Sequence, residues 1–122
     1  MLGNKVPDFS IPATGQTTFR LSDHKGHPVV LYFYPKDNTP GCTTEGEQFR
    51  DLYKQFSKLD AVVAGVSRDS IKSHEGFKAK MRFPFRLLSD ADEKLCALFD
   101  VIKMKNMYGK QVRAIERSTF LI

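Results

Sequence analysis

Cys42 is the residue whose type and position most clearly indicate chemistry. It follows Thr39, Pro40 and Gly41, and a hydroxyl residue followed by proline is typical of the start of an α-helix. The Cys42 sulfur is then expected in the first turn, where unpaired backbone N–H groups and the positive end of the helix dipole favour a thiolate over a thiol. The sequence therefore predicts a nucleophilic cysteine, with an inert, buried thiol as the alternative.

Two other kinds of cysteine site fit the sequence less well. Dithiol exchange of the Cys-x-x-Cys type needs a second cysteine three residues after Cys42, where Glu45 stands instead. The three histidines, His24, His27 and His74, form no recognised metal-binding spacing with the cysteines. We therefore predict no metal site and no cofactor, and we expect the histidines to be surface or helix-capping residues.

The composition is that of one soluble globular domain covering residues 1–122. Hydrophobic residues make up 41% of the chain, and the longest apolar run, residues 29–34, is far shorter than the roughly 20 residues of a membrane-spanning helix. The start of the chain lacks the apolar core of a signal peptide, and only two cysteines are present. We therefore expect a cytoplasmic protein with no disulfide framework and no membrane partner.

The net charge of +5 raises the question of nucleic-acid binding. Much of this charge comes from residues 103–122, which hold five lysines and arginines against one acidic residue, Glu116. Tyr108 is the only aromatic residue that interrupts these charges, so a stacking surface for single strands is not indicated. The pattern favours a solvated face, and we expect no nucleic-acid partner.

Apolar runs predict a series of strands along the chain. A short strand is expected at residues 18–21, and residues 83–88 are expected to form a third buried strand after those named next. Dense apolar runs at residues 28–34 and 61–66 are typical of strands that are buried on both faces. A last strand is predicted at residues 118–122, where the chain stops without a polar turn, so we expect a domain truncated at its C-terminus, without a further strand and helix.

Helices are predicted between these strands. The first is expected to run for about 15 residues from position 40, the second to follow a cap at Asp69, and the third to open with a capping box from Asp90 to Glu93. Their predicted inward-facing residues are Phe49, Leu52, Tyr53 and Phe56; Ile71, Phe77 and Met81; and Leu95, Leu98 and Phe99. This alternation predicts an α/β domain whose ligand site lies at the carboxyl ends of strands.

Several separated motifs resemble the peroxiredoxin family. Residues 35–42, Pro-Lys-Asp-Asn-Thr-Pro-Gly-Cys, match the family signature Pro-x-x-x-Thr-x-x-Cys, and the longer run 33–45 looks like the bacterioferritin comigratory protein, or peroxiredoxin Q, branch. Similar segments follow in order at residues 87–96, 105–109 and 115–121. The resemblance covers nearly the whole chain. It implies a thioredoxin-like fold with a central mixed sheet flanked by helices, and the reduction of hydrogen peroxide or alkyl hydroperoxides.

The resemblance also implies roles for five residues. Cys42 matches the peroxidatic cysteine, whose thiolate attacks the peroxide O–O bond. The residue matching Thr39 orients peroxide and thiolate through its hydroxyl, and the one matching Pro35 shields the pocket. Arg117 matches the arginine that holds the attacking and departing atoms, and Glu45 resembles the glutamate that positions this arginine.

The chemistry of peroxide reduction agrees with these roles. As the thiolate attacks, the sulfur loses negative charge and the departing oxygen gains it, so a preorganised guanidinium and backbone N–H groups stabilise the transition state. Without the motif, Arg117 would be interpreted as an ordinary exposed arginine before an edge strand. Thr39 is expected to act both as a helix cap and as the orienting hydroxyl.

The resemblance does not extend to a resolving cysteine. Family members that form an internal disulfide carry a second cysteine five or about 36 residues after the first, where this chain has Glu47 and Lys78. Cys96 lies on the third predicted helix, and its neighbour Phe99 favours a structural, partly buried role. The rival is a Cys42–Cys96 disulfide formed after local unfolding, which requires Cα atoms within about 7 Å.

We therefore expect a one-cysteine cycle for an enzyme of antioxidant defence. The sulfenic acid on Cys42 would be reduced by an external thiol, supplied by thioredoxin, glutaredoxin or glutathione. The expected assembly is a monomer or a weak dimer. The alternative function is a non-catalytic redox sensor with a thioredoxin fold, or a fragment inactivated by truncation.

Overall fold

The computed structural model describes residues 6–107 and 109–122. Its strands are β1 (Ser10–Ala13), β2 (Thr17–Arg20), β3 (Val29–Phe33), β4 (Val62–Ser67), β5 (Arg86–Ser89), β6 (Ile102–Met107), β7 (Lys110–Ile115) and β8 (Ser118–Leu121). Its α-helices are α1 (Pro40–Asp51), α2 (Tyr53–Lys58), α3 (Ile71–Met81) and α4 (Lys94–Leu98). Within the described ranges, none of these helices has the length and apolar character needed to cross a membrane.

Six strands form one mixed sheet in the order β2-β1-β5-β4-β3-β8. β3 pairs in parallel with β4, and β4 pairs in parallel with β5. β8 runs antiparallel to β3, and β1 runs antiparallel to both β2 and β5. The remaining strands, β6 and β7, form a separate antiparallel hairpin. The predicted α/β class with a central mixed sheet is therefore confirmed.

Strand β3 lies between two hydrophobic cores because all of its residues, Val29–Phe33, are buried. Successive side chains along a strand point to opposite faces of the sheet. The side chains of Val29, Leu31 and Phe33 belong to a core that contains Cys96, whereas those of Val30 and Tyr32 belong to a core that contains Cys42. The two cysteines therefore lie on opposite sides of the sheet.

Every predicted strand is present, and three strands were not predicted. β1 is only four residues long and includes Pro12, so its sequence lacks a clear strand pattern, and its pairing with β2 identifies it. β6 and β7 alternate apolar residues with lysines, an arginine and amides and contain no dense apolar run. Their cross-strand pairing forms a hairpin from the basic segment that the sequence interpreted only as a solvated face.

The long first helix is divided in two at Leu52. This residue has φ −93° and ψ 1°, so α1 ends at Asp51 and α2 begins at Tyr53. Leu52 was predicted to face inward but is 48% exposed. Phe49, Tyr53 and Phe56 do pack against the core that contains Cys42. The break changes the helical phase, which turns the Leu52 side chain away from the core.

The cap of α3 is Ser70 rather than the predicted Asp69. The Ser70 hydroxyl accepts a hydrogen bond from the backbone N–H of Ser73 at 3.2 Å. The Asp69 carboxylate instead accepts from the Ser67 hydroxyl at 2.6 Å and from the backbone N–H of Asp37 at 2.8 Å. Asp69 therefore links two loops.

The predicted capping box before α4 is also wrong in detail. Glu93 occupies the N-cap position in a left-handed conformation with φ 62°, and its side chain does not cap the helix. Asp90 lies further from the helix, and its carboxylate accepts the backbone N–H groups of Leu95 and Cys96 at 2.9 and 2.7 Å. This buried carboxylate therefore supplies hydrogen-bond acceptors for backbone N–H groups in the first turn of α4.

Two helical glycines provide a matched test of this packing. A methyl group on Gly46 of α1 would overlap the buried ring of Phe83, whereas one on Gly76 of α3 would meet no atom within 4 Å. We predict that Gly76→Ala raises the free energy of unfolding by about 0.5–1 kcal/mol because alanine has less backbone freedom to lose. Gly46→Ala should lower it by about 1–3 kcal/mol through overpacking. Urea denaturation measures both values, and a Gly46→Ala variant as stable as Gly76→Ala would contradict the close contact between α1 and Phe83.

Candidate active site

Cys42 lies in the first turn of a helix, as the sequence predicts. α1 begins at Pro40, so Cys42 is its third residue, and only 1% of it is exposed. Thr39 occupies the N-cap position with an extended backbone. The unpaired N–H groups and the positive end of the helix dipole are therefore close to the Cys42 sulfur in the chain.

Thr39 and Pro35 lie in the loop that leads from β3 to α1. The Thr39 hydroxyl donates to the backbone carbonyl of Lys36 at 2.9 Å, and no cap bond joins it to the helix. The predicted capping role of this hydroxyl is therefore wrong, although its position at the N-cap is right. Its oxygen retains lone pairs that can accept a hydrogen bond from the O–H group of a bound peroxide. Pro35 is half-buried at the start of the same loop.

Arg117 reaches the start of α1 through the pairing of two strands. Ser118 at the beginning of β8 pairs with Phe33 at the end of β3, so Arg117 stands beside the loop to α1. A Cβ atom on Gly41 would lie 2.7 Å from the Arg117 Nη2 atom. The guanidinium therefore rests on the backbone directly before Cys42, where any residue other than glycine would displace it.

Glu45 forms an ion pair with Arg117 one turn further along α1. The Arg117 Nη1 atom lies 3.5 Å from the Glu45 Oε1 atom, and the two side chains are 40% and 21% exposed. Burial raises the pKa of the Glu45 carboxyl, and the positive charge of Arg117 opposes this shift. The arrangement directs the guanidinium across the first turn of the helix.

Tyr32 is a member of the site that the sequence did not single out. Its hydroxyl is buried and has no hydrogen-bond partner among the described residues. Burial raises the pKa of Tyr32 well above its usual range, and the charges of Glu45, Asp37 and Cys42 add to this effect. The Tyr32 phenol therefore stays protonated. In the sequence it is only one letter of an apolar strand.

Cys96 is not brought to this site. It is fully buried in α4 and belongs to the core on the other side of the sheet from Cys42. Burial, reinforced by the Asp90 carboxylate, raises the pKa of the Cys96 thiol far above its usual range. A protonated thiol is a poor nucleophile. The expected structural role agrees with this position, although the residue is fully rather than partly buried.

His74 corrects the prediction that the histidines are surface or capping residues. It is fully buried in α3, with its Nδ1 atom 2.8 Å from the Asp37 Oδ2 atom and its Nε2 atom 2.9 Å from the Leu88 carbonyl oxygen. Asp37, Asp69 and His74 offer ligand atoms within 4.8 Å of one another. Hydrogen bonds to neighbouring protein groups occupy these atoms, and this accounts for the cluster.

Comparison with known proteins identifies the family. The model of the AhpC/TSA family matches residues 2–122. Peroxiredoxin Bcp of Xanthomonas campestris is 59% identical over 115 residues, an alignment that covers 94% of this chain and 72% of the relative. Peroxiredoxin Bcp of Bacillus subtilis is 53% identical over 121 residues, covering 99% of this chain and 77% of the relative.

Solved structures agree with the fold. One of them is a structure of the X. campestris bacterioferritin comigratory protein, described for its alkyl peroxide reduction activity from trapped intermediate and ligand complexes. It is 58% identical and has a TM-score of 0.88, covering 93% of this chain and 73% of that one. The thioredoxin-like fold implied by the resemblance is therefore confirmed, and this chain belongs to the AhpC/TSA family, in its Bcp and peroxiredoxin Q branch, and is a thiol-dependent peroxidase.

Proposed function

We propose that this peroxidase reduces hydrogen peroxide and alkyl hydroperoxides at Cys42. The observation that carries the proposal is the Arg117 guanidinium, which rests on Gly41, one residue before the cysteine. The alkyl peroxide reduction activity of the X. campestris relative supports alkyl hydroperoxides as substrates. Residues 1–122 act in this proposal as a single thioredoxin-like peroxiredoxin domain.

The reaction is a displacement at oxygen. The Cys42 thiolate attacks one peroxide oxygen, the O–O bond breaks, and the products are a sulfenic acid and an alkoxide or hydroxide that takes up a proton. Negative charge moves from sulfur to the departing oxygen, and Arg117 with the first-turn N–H groups stabilises this charge. The Thr39 hydroxyl orients the peroxide, and Pro35 shields the pocket from water.

Glu45 acts on the reaction through Arg117. Its carboxylate holds one end of the guanidinium, which leaves the other nitrogen over Gly41. A planar guanidinium held at one edge can offer its remaining N–H groups to both peroxide oxygens. Glu45 is therefore a positioning residue in this proposal.

The sulfenic acid is reduced by an external thiol. Glu47 and Lys78 stand where relatives with an internal disulfide carry a second cysteine, and the sheet separates Cys96 from Cys42. Because Cys42 is buried, the first turn of α1 must move before a reductant as large as thioredoxin or glutaredoxin can reach the sulfur. Glutathione is the smaller candidate. We place the protein in the reducing cytoplasm as a monomer or weak dimer.

The two cysteines form a matched pair of variants. We predict that Cys42→Ser lowers peroxide turnover by about a thousandfold or more because the nucleophile is lost. Cys96→Ala should retain most of the activity, since the Cys96 thiol is protonated and lies in the other core. Peroxide consumption with glutathione, or with thioredoxin and its reductase, measures both rates.

Intact mass after one equivalent of hydrogen peroxide tests the resolution step. With a sulfenic-acid trap present, we expect one adduct that peptide mapping assigns to Cys42. Loss of two hydrogens with Cys42 linked to Cys96 would contradict the one-cysteine cycle. Slow oxidation of Cys42 without turnover would favour the redox-sensor alternative, which the comparisons with peroxidases do not support.

Arg117 has a natural control in Arg113, which also pairs with a glutamate near the surface. We predict that Arg117→Lys lowers the rate constant for Cys42 oxidation by about 100-fold because lysine keeps the charge but loses the planar fork. Arg113→Lys should change this rate less than about twofold, an effect typical of an exposed ion pair. Rapid-quench mass spectrometry gives both constants, and equal effects would exclude a specific role for Arg117.

A further inference from the structure

A buried network of polar side chains lies behind the loop from β3 to α1, and the proposed mechanism does not use it. Its centre is Asp37, whose carboxylate accepts hydrogen bonds from three neighbours. The Tyr34 hydroxyl donates to Oδ1 at 2.6 Å, and the Ser73 hydroxyl donates to Oδ2 at 2.8 Å. The His74 Nδ1 atom lies 2.8 Å from Oδ2. The Asp37 side chain is 1% exposed and that of His74 is fully buried.

The backbone of Asp37 is held as well. Its N–H donates to the Asp69 Oδ2 atom at 2.8 Å, and the same oxygen accepts from the Ser67 hydroxyl at 2.6 Å. Asp37 therefore joins the loop to the end of β4 and to α3. Asp37 therefore takes part in four hydrogen bonds, three through its carboxylate and one through its backbone N–H. These bonds leave the residue little freedom to move.

The hydrogen positions follow from the chemistry of the partners. A backbone carbonyl can only accept, so His74 Nε2 carries a proton and donates it to Leu88. The contact between His74 Nδ1 and Asp37 Oδ2 then holds a second proton, since two lone pairs would otherwise face each other at 2.8 Å. Asp69 is the other acidic residue of the network. The Tyr34 and Ser73 hydroxyls donate to Asp37, and the Ser67 hydroxyl donates to Asp69.

This network is close to the reaction in sequence and in packing. Only five positions separate Asp37 from Cys42, and the Thr39 hydroxyl closes the intervening loop onto Lys36. Tyr34 packs in the same core as Cys42. A change in the Asp37 backbone would therefore shift the N-terminus of α1, which carries both the sulfur and the glycine on which Arg117 rests.

We propose that Asp37 is a positioning residue for peroxide reduction, which holds the start of α1 so that the buried Cys42 sulfur stays beside Arg117. His74 is its main partner, and α3 and β5 are the rigid support behind it. The proposal rests on the assignment of Cys42 as the reacting cysteine. Loss of the network releases the first turn of α1 without unfolding the domain.

The test compares two reactions of Cys42 in the same variants. One is oxidation by hydrogen peroxide, which needs the folded site, and the other is alkylation by iodoacetamide, which needs only an accessible sulfur. We expect Asp37→Ala to slow oxidation by about tenfold or more because small displacements of reacting groups are costly. The same variant should accelerate alkylation by about tenfold, since an opened first turn exposes the sulfur. Destabilisation of the whole domain would also expose the sulfur, so the same two rates are compared in a variant that is destabilised elsewhere in the fold, and equal changes there would overturn the proposal.

Two further variants separate the causes. Asp37→Asn can still accept from Tyr34 and can donate its two amide N–H groups to His74 and to the Ser73 hydroxyl oxygen, so both rates should stay within about threefold of the parent values. Cys96→Ala leaves a small cavity in the core on the other side of the sheet and should lower the melting temperature, while both rates stay within about twofold because the sheet separates Cys96 from the network. If Asp37→Asn behaves like Asp37→Ala, the hydrogen-bond geometry is not the cause and the proposal fails.

Two measurements keep the test decisive if Asp37→Ala does not fold. Tyr34→Phe removes one hydroxyl from the network. It should slow oxidation by about threefold and accelerate alkylation by about threefold. Nitrogen-15 spectra of the imidazole should show protons on both His74 nitrogens in the parent and on Nε2 alone in Asp37→Asn. A bare Nδ1 in the parent overturns the network as described. If the parent consumes no peroxide although both His74 nitrogens carry protons, the proposed function is wrong, whereas the hydrogen-bond network around Asp37 is as described.

Discussion

The burial of β3 on both faces is the constraint on which the rest of the structure depends. Because its side chains alternate between two cores, whatever packs on one face cannot reach the other without crossing the sheet. Cys42 lies on one side and Cys96 on the other. The carboxyl end of β3 leads directly into the loop and helix that hold Cys42, as is typical of ligand sites in α/β sheets.

Electrostatics at the start of α1 follow from this placement. The helix end supplies N–H groups and partial positive charge, and β8 adds the guanidinium of Arg117 over Gly41. Glu45 holds the guanidinium, although its own burial disfavours its charge. In the proposed reaction these positive groups lie where the departing oxygen gains negative charge, and the Glu45 carboxylate lies one turn away.

Among the described residues, Asp90 and Asp37 are buried acidic side chains that join different parts of the fold. Asp90 satisfies the first turn of α4 and helps keep Cys96 protonated, so it serves the inert cysteine. Asp37 joins the loop that leads to Cys42 to α3 and to the end of β4. In both cases a buried carboxyl group is satisfied by several hydrogen-bond donors, as the burial of a polar group requires.

The sequence by itself determined the α/β class, most of the strands, the helix that begins at Pro40 and the cysteine in its first turn. These features depend on apolar periodicity and on residues that are close together in the chain, so they can be predicted from short stretches of sequence. The motif resemblance pointed to Arg117 and Glu45, but the residue pattern alone would have left Arg117 as a surface arginine. Only the tertiary structure decided three things: that β8 brings Arg117 onto Gly41, that the sheet separates the two cysteines, and that His74 is buried against Asp37. The reason is that each depends on contacts between residues more than 30 positions apart in the chain, and such contacts are set by strand pairing and side-chain packing rather than by local sequence.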